Sequence, residues 1–560
     1  MAPEHRSNGL GDLGLRVGHV ALRVAQAERM NRVLVLFVLL LVAALGQAQT
    51  GWSTVSREVE RPFASRLQAF KSDVHTSIRP YSTATLRVAA IPDSALPKAA
   101  FGVLDKWAGR NNGRKFRWGP LVDASVGYEG NASGVRYRSG AGLWADLDAG
   151  SKLNFHVDGQ GWNERLPSYL DSVARATQVV AGEGYGYGTA PDFAHYSWNA
   201  HVSWDAHKYI NVTLGRGKNF FGEGHRSLFL SDEATSYPYL RMTTSVWRIK
   251  YVDLFAVMND IRGADGNVAD FQRKFTSMHY LSYNVIDRVN VAVFEAIVWS
   301  PGSDEYPRGF EFNYLNPVLF YRPTEFRLGS PDNALLGFAL NVKVGKHVLF
   351  YGQVMLDEFL ASNVRNGNGW YANKQAGQIG VNAHEAFGVH GLQLRAEWNL
   401  VRPFMYTHSD TRQNYAHMGQ PLAHPYGSNT EEVLAHVDLV RDRWVFSVRS
   451  SFAHMGTDSV DSYGNNIFRP ESERPLKPNG ARNDFGYRTG DFQSKYIFQA
   501  EARVGWTLDP RSAMRLEASY TYRMRDPPKE DPTTLHFVRV GLVCHFLDQH
   551  PEQEVRYRLR

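Results

Sequence analysis

Several sets of residues in this chain stand at spacings that invite a chemical reading, and each departs from the pattern its chemistry needs. Gly215-Arg216-Gly217-Lys218-Asn219 contains a Gly-Lys pair, but a phosphate-binding loop places Ser or Thr after the lysine to hold magnesium and spaces its glycines differently. His384-Glu385 is followed by His390; six positions separate the two imidazoles, where a helix would need four to aim both at one zinc. His417 and His424 flank Met418 to Ala423 and read either as a metal pair or as ordinary loop histidines. Asp260 to Asp270 has acidic residues without the register of a calcium loop. No Gly-x-Ser-x-Gly elbow occurs. Cys544 is the single cysteine, so an intramolecular disulfide and every multi-thiolate zinc or iron-sulfur site are excluded. The chain therefore reads as non-catalytic, with no cofactor.

The elements that would carry any site follow from composition and periodicity. The 560 residues, 62 basic and 56 acidic, give a formal charge of +6, too small an excess without a dense Lys/Arg run to predict a nucleic-acid partner. With 43% hydrophobic residues and a mean hydropathy of -0.37, the chain is neither disordered nor a bundle of membrane helices. Val33 to Leu45 is an uninterrupted apolar run after Arg32, followed by Gly46, Gln47 and Ala48. It suits the core of an export signal and is too short to anchor a helix. Met30 is the expected true start, residues 1–29 an upstream extension, and cleavage is expected before Gln49.

Beyond that segment the regularity has period two. Leu153, Phe155 and Val157 alternate with Asn154, His156, Asp158 and Gln160; Tyr196, Trp198, Ala200, Val202 and Trp204 alternate with His195, Ser197, Asn199, His201 and Ser203. Leu392 to Leu400, Tyr496 to Leu508 and Met514 to Met524 repeat the pattern. Such strands exceed the usual five or six residues of soluble sheets and match the nine to eleven that cross a bilayer. Tyr496, Trp506, Tyr520 and Tyr522 suit interfacial girdles. The fold class is thus all-β, a transmembrane antiparallel β-barrel in the outer membrane; a soluble sandwich is the alternative. Arg395 beside Glu397, Glu501 beside Arg503, and Arg515 beside Glu517 put both signs of charge on inward faces, where pairing across strands predicts a closed or narrow lumen; solvated charges in a wide pore are the alternative.

Long links at Asn163 to Asp192 and Gly456 to Gln493 are expected outside the cell, and Asp509-Pro510-Arg511-Ser512 is expected as a periplasmic turn. Phe63, Leu67, Phe70 and Val74 predict a helix over Phe63 to His75 that packs as a plug. The last strand is expected over Leu535 to Phe546, with Val538, Val540, Leu542, Cys544 and Phe546 facing lipid. This divides the chain into a signal peptide (30–48), a helical plug segment (49–112), the barrel (113–546) and a tail (547–560).

Particular strings then look familiar. Gly215 to Ser231 (Gly-Arg-Gly-Lys-Asn-Phe-Phe-Gly-Glu-Gly-His-Arg-Ser-Leu-Phe-Leu-Ser), Tyr314-Leu315-Asn316-Pro317-Val318, Gln353 to Phe359, Glu397 to Pro403, Asn414 to His417 and Gln420 to Pro425 resemble the capsule-assembly Wzi family of outer-membrane proteins. They are most similar to the branch that includes the gliding-motility protein RemB. The resemblance implies a barrel of about eighteen strands with a periplasmic helical element, and a lectin-like role in binding capsular polysaccharide. It also implies outer-membrane lipid as surroundings and, as alternatives, motility or adhesin-assembly proteins as partners; a diffusion porin is a further alternative. Within the glycine-rich stretch, Arg216, Lys218, Asn219, Glu223, His225 and Arg226 offer donors and acceptors for sugar hydroxyls or carboxylates, Phe220 and Phe221 could stack on sugar rings, and His417 and His424 join them as candidates. The same residues could instead be structural, the glycines folding the backbone into the barrel while the charges satisfy one another.

Overall fold

The computed structural model describes residues 51–69, 74–88, 97–109, 115–130, 132–187, 192–264, 267–302, 309–318, 332–358, 360–550 and 552. The expected signal peptide, the upstream extension and the segment 70–73 of the expected plug helix lie outside these residues. The chain closes an antiparallel barrel of 18 strands. In chain order they are β1 Phe116–Glu129, β2 Arg136–Ala149, β3 Leu153–Arg165, β4 Phe193–His207, β5 Ile210–Gly217 and β6 Tyr237–Val246. Then come β7 Ile249–Asp260, β8 Gln272–Ile286, β9 Val289–Trp299, β10 Asn333–Val344, β11 Val348–Leu356 and β12 Gln375–His384. The circuit ends with β13 Leu392–Val401, β14 Thr430–Arg441, β15 Trp444–Gly456, β16 Ser494–Asp509, β17 Met514–Asp526 and β18 Thr533–Cys544. The seam pairs Phe537–Leu542 of β18 with Ala124–Glu129 of β1. Among the described residues no helix is long and apolar enough to cross a membrane.

Alternation sorts the side chains as period two demands. On β1, Val126 and Tyr128 are exposed while Asp123, Ser125 and Glu129 are buried; on β4, Tyr196 and Trp198 are exposed while His195, Ser197 and Ser203 are buried. The exposed apolar set, with Leu143, Phe155, Leu340, Ile379, Val448 and Val540, forms a lipid-facing belt. Connections differ sharply between the two ends. One end has tight turns, such as 208–209, 247–248 and 510–513; the other carries 166–192, 218–236, 402–429 and 457–493.

The interior is largely occupied by the chain's own segments, in two unlike halves, and the charged half keeps a cavity lined by Glu58, Arg138, Tyr169, Glu183, Arg503 and His550. Inward residues of β7 to β11, among them Leu254, Met258, Tyr280, Phe294 and Met355, form a hydrophobic core with Phe221, Leu228 and Phe229 from the β5–β6 connection. The other half, walled by β1 to β3 and β14 to β18, is charged. It receives helix α1 (Arg57–Leu67) and the residues that follow β18. Ser56 caps α1, its Oγ accepting the Val59 N–H at 3.3 Å and donating to the His545 carbonyl at 2.6 Å. Helix α2 (Thr83–Val88) follows. Helix α3 (Gly102–Trp107) packs instead on the outer wall at the tight-turn rim, where Trp107 stacks on Trp118 and Leu104 meets Leu508 and Met514.

The structure corrects several expectations. The plug helix lies earlier than Phe63 to His75, because the Ser56 cap and the buried ion pairs of Glu58 and Arg61 fix it, whereas the expectation followed the apolar stripe alone. Cys544 and Phe546 do not face lipid. After Val543 the chain turns inward, Phe546 stacks on Trp144 with ring centroids 6.5 Å apart, and buried Cys544 places Sγ on the Ser512 carbonyl. The link after β3 begins beyond Arg165 rather than at Asn163, and it holds helix α4 (Ser168–Thr177) and a small hairpin whose Glu183 reaches Arg138 and His195. On the outer wall, Asp253, His279 and Glu295 stand in register on β7, β8 and β9, facing outward yet buried. The β9–β10 connection covers this wall: Tyr314 packs on Ile297 and Trp299, and Tyr251 Oη donates to the Pro317 carbonyl.

Candidate functional site

The β5–β6 connection, 218–236, folds back into the lumen, and the strings that stand apart in sequence prove to be one another's partners. Glu397 on β13 accepts the backbone N–H groups of His225 and Arg226 at 2.8 and 3.1 Å and the Tyr351 hydroxyl at 2.9 Å. Gln353 on β11 accepts from Leu228 N at 2.8 Å. Gln378 on β12 donates to the Arg226 carbonyl at 3.1 Å and to Asn399 at 2.8 Å. The connection 402–429 closes over the loop: Tyr406 and Tyr415 hydroxyls donate to the carbonyls of Leu228 and Phe229, and Ser231 donates to the Leu422 and Ala423 carbonyls. Two glycines permit this close approach. A Cβ on Gly222, whose φ is +150°, would lie 2.5 Å from Gln353 Nε2, and one on Gly224 would lie 2.5 Å from Glu397 Oε2.

Electrostatics lock the loop to both ends of the plug. Arg57 of α1 reaches Asp232 at 2.9 Å and Asp548 at 2.8 Å, and donates to the His225 carbonyl at 2.7 Å. His550 lies 3.2 Å from Glu233, and Arg539 Nη1 donates to Gln549 at 3.1 Å. Glu58 is gripped by Arg61 and Arg449, each at 2.6 Å, and by Arg515 at 2.7 Å. Burial alone would raise its carboxyl, but those three guanidiniums hold it well below the ordinary carboxylate range. Glu60 has a weaker partner, Arg79 at 3.4 Å, and burial pushes its carboxyl up to about 7. The expected charge pairs are in part kept across neighbouring strands and in part directed into the plug. Glu397 serves the loop rather than Arg395, and Arg515 serves Glu58 while staying 3.9 Å from Glu517; Glu517 pairs with Arg539 on the neighbouring β18 at 3.2 Å and with His545 at 2.8 Å, and Arg503 keeps Glu501, at 3.0 Å on its own strand.

Each sugar-binding candidate has a definite place. Arg216 lies on the lipid-facing side of β5, its guanidinium 4.5 Å over the Trp198 ring. Lys218 donates to the Asp232 carbonyl at 2.7 Å, and Asn219 accepts from Arg241 at 2.9 Å. Phe220 lies under the guanidiniums of Arg57 and Arg79, and Phe221 stacks on Tyr280 at 4.9 Å. Glu223 accepts from Thr76 Oγ1 at 2.5 Å, with burial raising its carboxyl. His225 meets His436 edge-on at 4.4 Å, and burial lowers it well below the usual imidazole value. Arg226 forms a two-point fork on Glu432 at 2.8 and 3.0 Å, whose second oxygen also meets His424 Nε2 at 3.0 Å. His417 accepts from Asn259 N at 2.9 Å. All but Arg216 are buried, and His417 and His424 lie on separate partners, giving no shared metal position. Glu164, Glu183 and His195 do converge, their ligand atoms within 4.8 Å, but Arg138 sits 2.9 Å from both carboxylates and occupies the position of a cation.

A second cluster, which the sequence reading placed in no site, lies where the β11–β12 and β15–β16 connections meet at the long-loop mouth. Tyr371 N donates to the Asp484 carbonyl, and Gly486 N to that of Asn368. Arg474 lies 3.4 Å from the centre of the Tyr371 ring, Tyr463 stacks on Phe492 at 4.0 Å, and Phe404 meets Tyr487 edge-on. Phe485 and Phe492 are 44% and 39% exposed, with Trp370 half-buried beside them. Phe492 holds φ at +63°, a conformation that a bulky residue keeps only when its surroundings impose it. Among the described residues this is a partly exposed aromatic cluster next to polar backbone and guanidinium groups, with Tyr463 and Phe492 stacked on each other and Arg474 over one face of Tyr371. Its only signal in sequence is aromatic and Arg content in links otherwise rich in Asn, Gly and Asp.

No protein family and no curated protein matches the chain in sequence. Solved structures do match in shape. OccAB2 of Acinetobacter baumannii is 10% identical with a TM-score of 0.38, covering 76% of this chain and 96% of that one; OccD3 of Pseudomonas aeruginosa is 9% identical with a TM-score of 0.38, covering 75% and 90%. Wzi, an outer-membrane protein involved in group 1 capsule assembly in Escherichia coli and a carbohydrate-binding β-barrel, is 13% identical with a TM-score of 0.52, covering 88% of this chain and 100% of that one. The chain is therefore an outer-membrane-type barrel of 18 antiparallel strands whose fold is similar to that of Wzi.

Proposed function

We propose that this protein is a non-catalytic outer-membrane barrel that binds cell-surface polysaccharide at its long-loop mouth, in capsule or exopolysaccharide assembly. The observation that carries this reading is the occupied lumen: the 218–236 loop, α1 and residues 547–550 take up most of the interior, so any recognition of a large polymer falls to the rim. The rim cluster of Trp370, Tyr371, Tyr463, Phe485 and Phe492 offers flat apolar faces for sugar rings, with polar groups beside them to fix orientation. The carbohydrate-binding character of Wzi supports the same reading. The buried candidates from Lys218 to Arg226 then act by shaping the loop under that rim. The refolded protein, tested on a glycan array and in planar bilayers from one preparation, is expected to bind capsular or exopolysaccharide and to show no ohmic single-channel steps. Absence of glycan binding, or steady conductance, would overturn the proposal.

A further inference from the structure

Arg216 faces the lipid side of the wall, where a charged side chain is costly unless compensated. Its neighbours in register are Ala200 on β4 and Pro238 on β6, neither of them an acceptor side chain. Its Nη1 donates to the Trp198 carbonyl and its plane lies over the Trp198 ring, with Asp158 and Tyr196 attracting it from beyond hydrogen-bond distance. A guanidinium has five donors in a planar fork suited to phosphate, so most of this one's capacity is directed outward.

The wall beside it is shaped. Ala145, Val157 and Ala200 stand opposite one another on β2, β3 and β4 and lead in register to Arg216 on β5. These small side chains make the floor of a trough about 14 Å long, three strand spacings. Leu147, Phe155, Val202 and Leu214 form one wall, again in register; Leu143 and Trp198 stand on the other side. Trp198 is 44% exposed and Leu214 56% exposed, and the groove's lining is almost wholly apolar. Arg216 is seven residues beyond the tight turn at 208–209. On a strand tilted as barrels require, that places it roughly 18 Å along the barrel axis, towards the long-loop edge of an apolar band about 25 Å tall.

We propose that this trough is a binding site for an anionic membrane lipid, one acyl chain lying across Ala145, Val157 and Ala200 and the headgroup phosphate resting on Arg216. The charge complementarity selects the occupant: a neutral acyl chain would fill the trough and leave the guanidinium uncompensated. The test is native mass spectrometry of the full-length barrel in non-ionic detergent, titrated with phosphatidylglycerol or with phosphatidylcholine. The wild type is expected to retain one phosphatidylglycerol at least fivefold better than phosphatidylcholine. Arg216→Gln is expected to abolish that preference, Ala200→Leu, which fills the floor, to lower retention of both lipids at least fivefold, and Arg216→Lys to keep part of the preference. Heat-modifiable gel migration confirms that each variant remains a barrel. Equal retention by the wild type and Arg216→Gln would overturn the proposal, as would loss of binding in Ala200→Leu alone with no preference between lipids.

Discussion

Glu58 shows what a single buried carboxylate does in this lumen. It joins α1 to β15 and β17 through Arg449 and Arg515, so removing its charge leaves these buried guanidiniums without their nearest counter-ion. Glu58→Gln is expected to destabilise the plug by about 3 kcal/mol, read as faster hydrogen exchange of the α1 amides. Glu60 behaves oppositely. Its folded-state value of about 7 stands above the unfolded 4.5, so the folded form binds the proton more tightly. The resulting stabilisation is complete below about pH 4.5 and is lost as pH rises through 7. Glu60→Gln should therefore flatten the pH dependence of α1 exchange between pH 5 and 8 relative to wild type, and an unchanged dependence would refute the assignment. At the rim, Phe492→Ala or Trp370→Ala is expected to weaken polysaccharide binding roughly tenfold, ~1.4 kcal/mol, with the barrel intact by gel migration. At this scale the sequence showed which residues face inward and little about whom they meet. Glu397 is legible as an inward charge from the alternation of Leu392 to Leu400, but its acceptance of two amides from His225 and Arg226 depends on a loop 171 residues away.

Elements were legible where a local rule governs them. The strands follow from alternation, and the turn at Asp509 to Ser512 from its composition, because pleat and turn chemistry act over a few residues. Elements set by long-range partners were not. Helix α1 begins at Arg57 because Ser56 is held by the His545 carbonyl, 489 residues on, and the chain after β18 turns inward to meet Arg57 and Glu233. A chain truncated after Phe546 is expected to lose the Asp548 and His550 contacts, leaving Arg57 with one of its two carboxylate partners, Asp232. Its barrel should still form while α1 becomes accessible to protease and intermittent conductance appears; a truncated form as protected and as silent as the full chain would show that the tail is dispensable.

For the whole molecule, the division of the interior into an apolar and a charged half explains how one barrel can be both filled and adjustable. The apolar half, centred on Phe221, Phe229, Tyr280 and Phe294, packs as a soluble core does and should resist local opening. The charged half depends on ion pairs that salt and pH can reach. Hydrogen exchange is therefore expected to protect the 220–230 segment more strongly than α1, and the difference should grow on moving from pH 5 to pH 8. The wall was less legible than the lumen: Asp253 and Glu295 interrupt apolar runs, and it takes both the imidazole of His279, 3.4 Å from each carboxylate, and the covering connection around Tyr314 to explain why charges tolerate the outer side of β7 and β9.

The seam between β18 and β1 has a consequence for biogenesis. The segments bordering it in sequence send residues to the same luminal neighbourhood, α1 ahead of β1 and Asp548 and His550 behind β18, and they clasp one another there. Pairing the last strand with the first therefore also brings the cargo's two clasping segments within reach of each other, so that closing the cylinder and latching its contents share one junction.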